Sequence, residues 1–224
     1  MTTTEPAVTP HRQTPHRQTQ RRRPRSQPEI NAQRRIDLVE GAIRSVASHG
    51  LAGTTVQTIS AAAGASRGLL AHYYGSKGAL MLAAYRHLCD TIAQSMGDAA
   101  RASGPAAAAR LDAMVVAVFS PPIFEPVKLA AFLGFWHEAR TDSAMAAINH
   151  ELYRDYREVV ARLFERAAAE RNAAVDGRTA ALGLIALIDG FWVELTIDPS
   201  AFAVDQAVGV CRAYVDRFLA TTTR

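Results

Sequence analysis

The chain has 224 residues, 49% of them apolar, enough to bury a core in one mid-sized domain or in a small domain fused to a larger one. Its two cysteines, Cys89 and Cys211, lie inside apolar helical patterns at no disulfide or metal-ligand spacing, which excludes a disulfide framework and suits a reducing cytoplasm. The net charge of +4 is uneven: eight arginines against Glu5 and Glu29 give residues 1–35 a net +6, leaving −2 for the rest.

Residues 1–28 are rich in Thr, Pro, Gln and Arg and repeat Pro-His-Arg-Gln-Thr in tandem from Pro10 and Pro15. No core-forming pattern is present, so a disordered basic arm is expected. Three readings of it stay open: a phosphate-seeking arm, an unconstrained extension, or an Arg-rich transit peptide. No charged, apolar and cleavage regions follow one another, so no secretion signal is expected. From Arg34 the pattern is helical, with Ile36, Val39, Ile43 and Val46 on one face. Gly50 is expected to end this helix. Thr54 and Gln57 have the spacing of a capping box and start a short second helix, which Gly64 interrupts. Ser66 caps a third helix through Leu70 and Tyr73, and Gly75-Ser76 precedes a long fourth helix with Leu80, Ala84, Leu88 and Ile92 on one face. Beyond Ser103-Gly104-Pro105 five further helices are expected, over roughly 106–120, 126–139, 143–171, 178–196 and 204–221. No stretch alternates with period two. The expectation is an all-α chain of about nine helices, divided into an arm (1–28), a head (29–88) and a body (89–224).

The second and third helices meet the demands of a helix-turn-helix. Val56 and Ile59 form an apolar inner face, Ser60 and Ala63 are small, Gly64 tolerates positive φ, and Leu70 anchors the second helix of the pair. That helix would enter the major groove of double-stranded DNA by its first residues, Ser66, Arg67, Gly68 and Leu69. Arg67 has two donors for guanine O6 and N7, and Gly68 lets the backbone come close. Thr54, Thr55, Gln57, His72, Tyr73 and Lys77 offer donors for phosphates, and Lys77 opens the fourth helix, whose free amides favour an anion. His72 has a second reading as a plain surface histidine, and one of Tyr73 and Tyr74 as a core aromatic.

The run from Thr54 to Ile59, followed by Gly64-Ala65-Ser66-Arg67-Gly68-Leu69-Leu70-Ala71-His72-Tyr73-Tyr74-Gly75-Ser76-Lys77, resembles the N-terminal domain of TetR-family regulators. The resemblance covers roughly Arg34 to Leu88. It implies nine or ten helices, a three-helix DNA-binding head and a ligand-binding, dimerising body. Ala71 stands where the family usually has a phosphate-contacting Tyr, so no contact is assigned there; Tyr74 replaces the usual Phe and Ser60 the usual Ala. His72-Tyr73 is similar to the pair in choline-responsive BetI repressors. So are Leu187-Ile188-Asp189-Gly190-Phe191-Trp192 and Phe132-Leu133-Gly134-Phe135-Trp136 in the body.

In the body, the helix from Ala180 to Trp192 is apolar nearly all round, and its longest apolar run, Leu182 to Ile188, is too short to span a bilayer. The last helix carries Val204, Val208, Cys211, Val215 and Phe218 along one stripe. These two helices suit a four-helix homodimer interface, with a core position inside one subunit as the alternative. Phe132, Phe135 and Trp136 on one helix and Asp189 and Trp192 on another combine aromatic faces with a carboxylate, the chemistry that binds a quaternary ammonium inducer such as choline. Simple core packing is the other reading of these aromatics, and Asp189 has two more, capping a turn or pairing with an Arg across the dimer. No membrane association and no cofactor are expected. Competing functions are an activator or a regulator answering a drug, fatty acyl or stress metabolite, and, remotely, a helical metal enzyme using His137, Glu138, Asp142, His150 and Glu151.

Overall fold

A computed structural model describes residues 1–2 and 26–220; the expected arm lies almost wholly outside the described residues. Nine α-helices and no strand are found among them: α1 (Gln27–Gly53), α2 (Val56–Ala63), α3 (Arg67–Tyr74), α4 (Lys77–Ala102), α5 (Ala107–Val118), α6 (Pro126–Ala139), α7 (Ser143–Ala169), α8 (Gly177–Ile197) and α9 (Val204–Ala220). The all-α expectation and its breaks hold to within a few residues, except at the start of α1.

Helix α1 begins at Gln27 rather than Arg34. The Glu29 carboxylate accepts from the Ser26 backbone N–H at 2.6 Å and from Ser26 Oγ at 2.9 Å, and Pro28 lies in the first turn. Periodicity could not reveal this stretch because it has no buried face: Ile30 and Ile36 are exposed, and burial begins at Leu38. Ile36 therefore leaves the expected stripe, which is carried by Leu38, Val39, Ala42, Ile43 and Val46. Gly50, at φ 64°, ends the regular part of α1.

The box that starts α2 is shifted by one residue. Thr55 Oγ1 accepts from the Thr58 N–H at 3.1 Å, and Thr58 Oγ1 accepts from the Thr55 N–H at 2.9 Å. Thr54 instead turns inward, fully buried, and donates to the Gly50 carbonyl at 2.7 Å. Gly64 has φ 60° and ψ 34°, the left-handed turn expected between α2 and α3. Leu70 anchors α3 in the core.

In the body, α5, α6 and α7 pack on α4, α8 packs on α6, α7 and α9, α9 also packs on α5, and α6 lies along α1. Asp142 and Asp176 cap α7 and α8 by accepting from two backbone N–H groups each. Helix α8 is long and apolar enough to pass for a membrane span, longer than the run around Leu182 suggests. Here it packs against α7 and α9 and carries the ionisable Asp189. The α9 stripe faces its own chain: Val208, Cys211 and Val215 are buried. Phe218 packs on Phe164 and Tyr214, and Phe191 on Phe119 and Phe202. What the two helices leave exposed is another strip, with Leu182 (61% exposed), Ile197 (74%) and Val210 (48%) joined by Ala186, Gly190 and Ala213.

Candidate DNA-reading surface and ligand cavity

Helix α3 is held from behind by the early turns of α1. Tyr73 OH donates to Asn31 Oδ1 at 3.0 Å, Tyr74 OH donates to the Arg35 carbonyl at 3.0 Å, and Arg35 donates to the Tyr73 carbonyl at 3.1 Å. The Arg35 guanidinium also lies over both rings, 5.4 and 5.8 Å from their centroids. Both tyrosines are thus packing residues, and the Tyr73 hydroxyl hydrogen expected to meet a phosphate is already placed. Thr54 is removed from the contact set as well, because its side chain is buried.

Thr55, Gln57, Ser66, Arg67, Gly68 and His72 are exposed around the start of α2 and along α3. Arg67 makes no side-chain hydrogen bond or ion pair among the described residues and stands in the first turn of α3. Lys77 is half-buried, and its ammonium donates to the Thr54 carbonyl, bracing the start of α4 against the start of α2. A lysine has two further hydrogens to offer.

The body brings four of the five expected ligand residues together. Phe132 and Trp136 of α6, with Asp189 and Trp192 of α8, line a cavity of about 30 Å³. The rings meet edge to face: Phe132 to Trp136 at 5.2 Å and Phe132 to Trp192 at 5.8 Å between centroids. Trp192 Nε1–H donates to the Val118 carbonyl at 3.2 Å, which fixes that ring. Phe135 does not reach the cavity. It is fully buried against α4 instead, stacked on Tyr85 at 4.9 Å.

Sequence reasoning missed Tyr153 and Tyr156 of α7, which complete the wall. Their spacing of three, on one face of a helix, was the available signal. Tyr153 OH donates to Asp189 Oδ2 at 3.0 Å. Burial pushes the Asp189 carboxyl up from 3.8 to about 6, against the Tyr153 hydrogen bond and the Arg157 charge, which both lower it. A second cavity, about 220 Å³, shares Met96, Leu152 and Tyr156 with the first and carries Asp90, Glu151 and Asp155 on its rim. Among the described residues no group of three or more His, Cys, Asp or Glu side chains could hold a metal ion, so His137, Glu138, Asp142, His150 and Glu151 do not converge.

The face of α6 opposite the cavity touches the head. Gly134 lies so close to α1 that a Cβ there would stand 2.9 Å from Val46 Cγ1 and 3.8 Å from Leu51 Cδ1. Only a residue without a side chain allows this approach.

Comparison with known proteins agrees with both halves. Residues 38–84 match the model of bacterial regulatory proteins of the tetR family, and residues 107–220 match the C-terminal domain of BetI-type transcriptional repressors. The chain is 30% identical over 190 residues to the HTH-type transcriptional regulator BetI of Burkholderia thailandensis, covering 84% of this chain and 94% of that one. A transcriptional-regulator structure from Pseudomonas aeruginosa PAO1 superposes with a TM-score of 0.76 at 32% identity, over 88% of this chain and 93% of that one. A regulator from Saccharomonospora viridis, solved in complex with choline, shares the fold with a TM-score of 0.75 at 18% identity, over 86% of this chain and 100% of that one. The chain belongs to the TetR family of transcriptional regulators, with a body of the BetI type.

Proposed function

We propose that this chain is a cytoplasmic homodimeric repressor, released from a two-fold DNA operator by a small quaternary-ammonium cation, with choline the first candidate. The observation that carries the ligand reading is the cavity in which Phe132, Trp136, Tyr153, Tyr156 and Trp192 surround the Asp189 carboxylate. Aromatic faces attract a cation that has no hydrogen to donate, and a buried carboxylate balances its charge. The choline held by the Saccharomonospora viridis regulator supports the same chemistry.

On the DNA side, Arg67 is assigned to a guanine edge in each half-site. Thr55, Gln57, Ser66 and His72 are assigned to the sugar-phosphate backbone, with Gly68 allowing close approach. Lys77 reaches a phosphate with the hydrogens that Thr54 leaves free. Dimerisation uses the outer strip of α8 and α9, where exposed Leu182, Ile197 and Val210 alternate with small residues that let helices approach.

Coupling runs through α6. A cation larger than the 30 Å³ cavity must part its walls, and α6 supplies Phe132 and Trp136 to those walls. The opposite face of α6 abuts Val46 and Leu51, so a shift of α6 moves α1 and the helix pair resting on it. A bulkier apolar inducer is the second reading, favoured by the neighbouring 220 Å³ cavity.

The test is operator binding by the wild type and by Trp192→Ala, titrated with choline and with a fatty acyl-CoA. Choline should release the wild type and fail to release Trp192→Ala, because an inducer acts only through its different affinity for the two states. Release by the acyl-CoA alone would replace the cation with the second reading.

A further inference from the structure

The cation reading accounts for the faces of the cavity's rings and for its carboxylate, but it leaves one polar atom without a role. Trp136 Nε1 is shielded from solvent and has no hydrogen-bond partner among the described residues. Buried donors in folded proteins are almost always paired, and an unpaired one costs stability that something must offset. The other tryptophan in the same wall differs, because Trp192 Nε1–H is tied to the Val118 carbonyl. Two indoles thus line one cavity, one presenting only its ring and the other retaining a free hydrogen.

A quaternary ammonium head cannot use that hydrogen, having no lone pair to accept it. The hydrogen therefore speaks to a different part of the ligand. Neither Asp189 nor the Tyr153 oxygen that donates to it accepts from the indole. A carboxylate on the ligand would lie against Asp189 and be repelled, whereas a neutral oxygen would not.

Resting on the cation reading above, we infer that Trp136 Nε1–H is the group that reads a neutral acceptor oxygen on the inducer, so the site selects hydroxylated quaternary ammonium ions over their hydrocarbon analogues. A site built to hydrogen-bond an oxygen discriminates against the analogue that lacks it, because the buried donor is then left unpaired. One hydrogen bond of this kind corresponds to roughly tenfold in affinity.

The test compares choline with propyltrimethylammonium, in which a methyl group replaces the hydroxyl, by calorimetric titration of the full-length protein. The wild type should prefer choline about tenfold, and Trp136→Phe, which keeps a ring and removes the N–H, should bring the ratio close to one. In the wild type, an indole ¹⁵N–¹H spectrum gives an independent readout that does not depend on the variant folding. The chain has only two tryptophans, so two indole signals are expected. Choline should move the Trp136 proton downfield and propyltrimethylammonium should not, with the Trp192 signal as the bonded reference. Equal affinities in the wild type, with no choline-specific shift, would overturn the inference while leaving the cation reading in place. Binding of neither cation would overturn both.

Discussion

In the head, the side chains assigned to DNA, Thr55, Gln57, Arg67 and His72, are exposed, and Arg67 makes no polar contact within the described chain. In the body, Phe132, Tyr153, Asp189 and Trp192 hold one another edge to face and by hydrogen bonds around a narrow cavity. A surface that reads a large, preformed partner such as a duplex needs groups that project and a scaffold that does not yield. The head supplies this by clamping α3 from α1 through Asn31 and Arg35. A site that must respond needs the opposite, groups whose mutual contacts a ligand can replace. Binding in the head is therefore expected to depend on single projecting side chains, and response in the body on a network.

The largest effect should come from separating two copies of the chain. Leu182→Glu combined with Val210→Glu places charge on the exposed strip of α8 and α9. Light scattering should then show a monomer, and operator affinity should fall by about 100-fold or more with the loss of two-site binding. A folded, fully dimeric variant would move the interface elsewhere. Next comes Arg67→Ala, which should cost about 1–3 kcal/mol of operator binding and relax preference at one base pair per half-site. Its choline affinity should not change if head and body divide the work as described. Lys77→Ala should weaken all sequences alike and slightly lower thermal stability, since Lys77 also braces Thr54. Equal, uniform losses in both variants would remove Arg67 from base reading.

A smaller effect follows from Asp189. Its carboxyl titrates near 6 rather than 3.8 because it is buried. A cation needs the ionised form, so choline affinity should rise with pH and level off above pH 6, being about tenfold weaker at pH 5 than at pH 7. The folded state holds this proton where the unfolded chain has lost it. The group's effect on ligand-free stability is therefore a decline as pH rises from about 4 to 6, absent in Asp189→Asn. Calorimetry over that range checks both signs. The smallest effect belongs to Asn31→Ala, which frees the Tyr73 hydroxyl and should cost about 0.5–1.5 kcal/mol in denaturant unfolding. That loss would test whether the α1 clamp, and not α3 alone, makes the head rigid.

These differences also explain what could be read from the residues in order. The helix-turn-helix is local: Val56, Ile59, Gly64, Ser66 and Leu70 lie within one short segment, and their spacing follows from helix and turn geometry. Where local reasoning failed in the head, at Thr54 and Tyr73, the cause was a partner outside the segment, Gly50 in one case and Asn31 in the other. The early turns of α1 escaped because they bury no apolar side chain, although Ser26-Gln27-Pro28-Glu29 carried a cap signal. In the body, Phe132, Trp136, Asp189 and Trp192 were legible as candidates, but which side of α6 faces the cavity depends on packing against α4 and α1. Phe135 was lost for that reason, since it serves Tyr85. The spacing of Tyr153 and Tyr156 marks one face of α7, but that this face meets Asp189 is set by tertiary packing. By its pattern the α9 stripe suits a dimer interface, yet Val208, Cys211 and Val215 are buried within their own chain, and only the packed bundle decides between the two.

The placement of Gly134 bears on how such a regulator can change its specificity over time. Walls of the cavity come from α6, α7 and α8, but of these three helices it is α6, through Gly134, that comes within van der Waals reach of Val46 and Leu51 in α1. Substitutions at Tyr153, Tyr156 or Asp189 can redraw the chemistry that is sensed and leave the reporting contact intact. Substitutions at Phe132 or Trp136 alter the sensor and its transmission together. Lineages descending from this chain should therefore acquire new inducers first through α7 and α8, and the glycine on α6 should be the last position to accept a side chain.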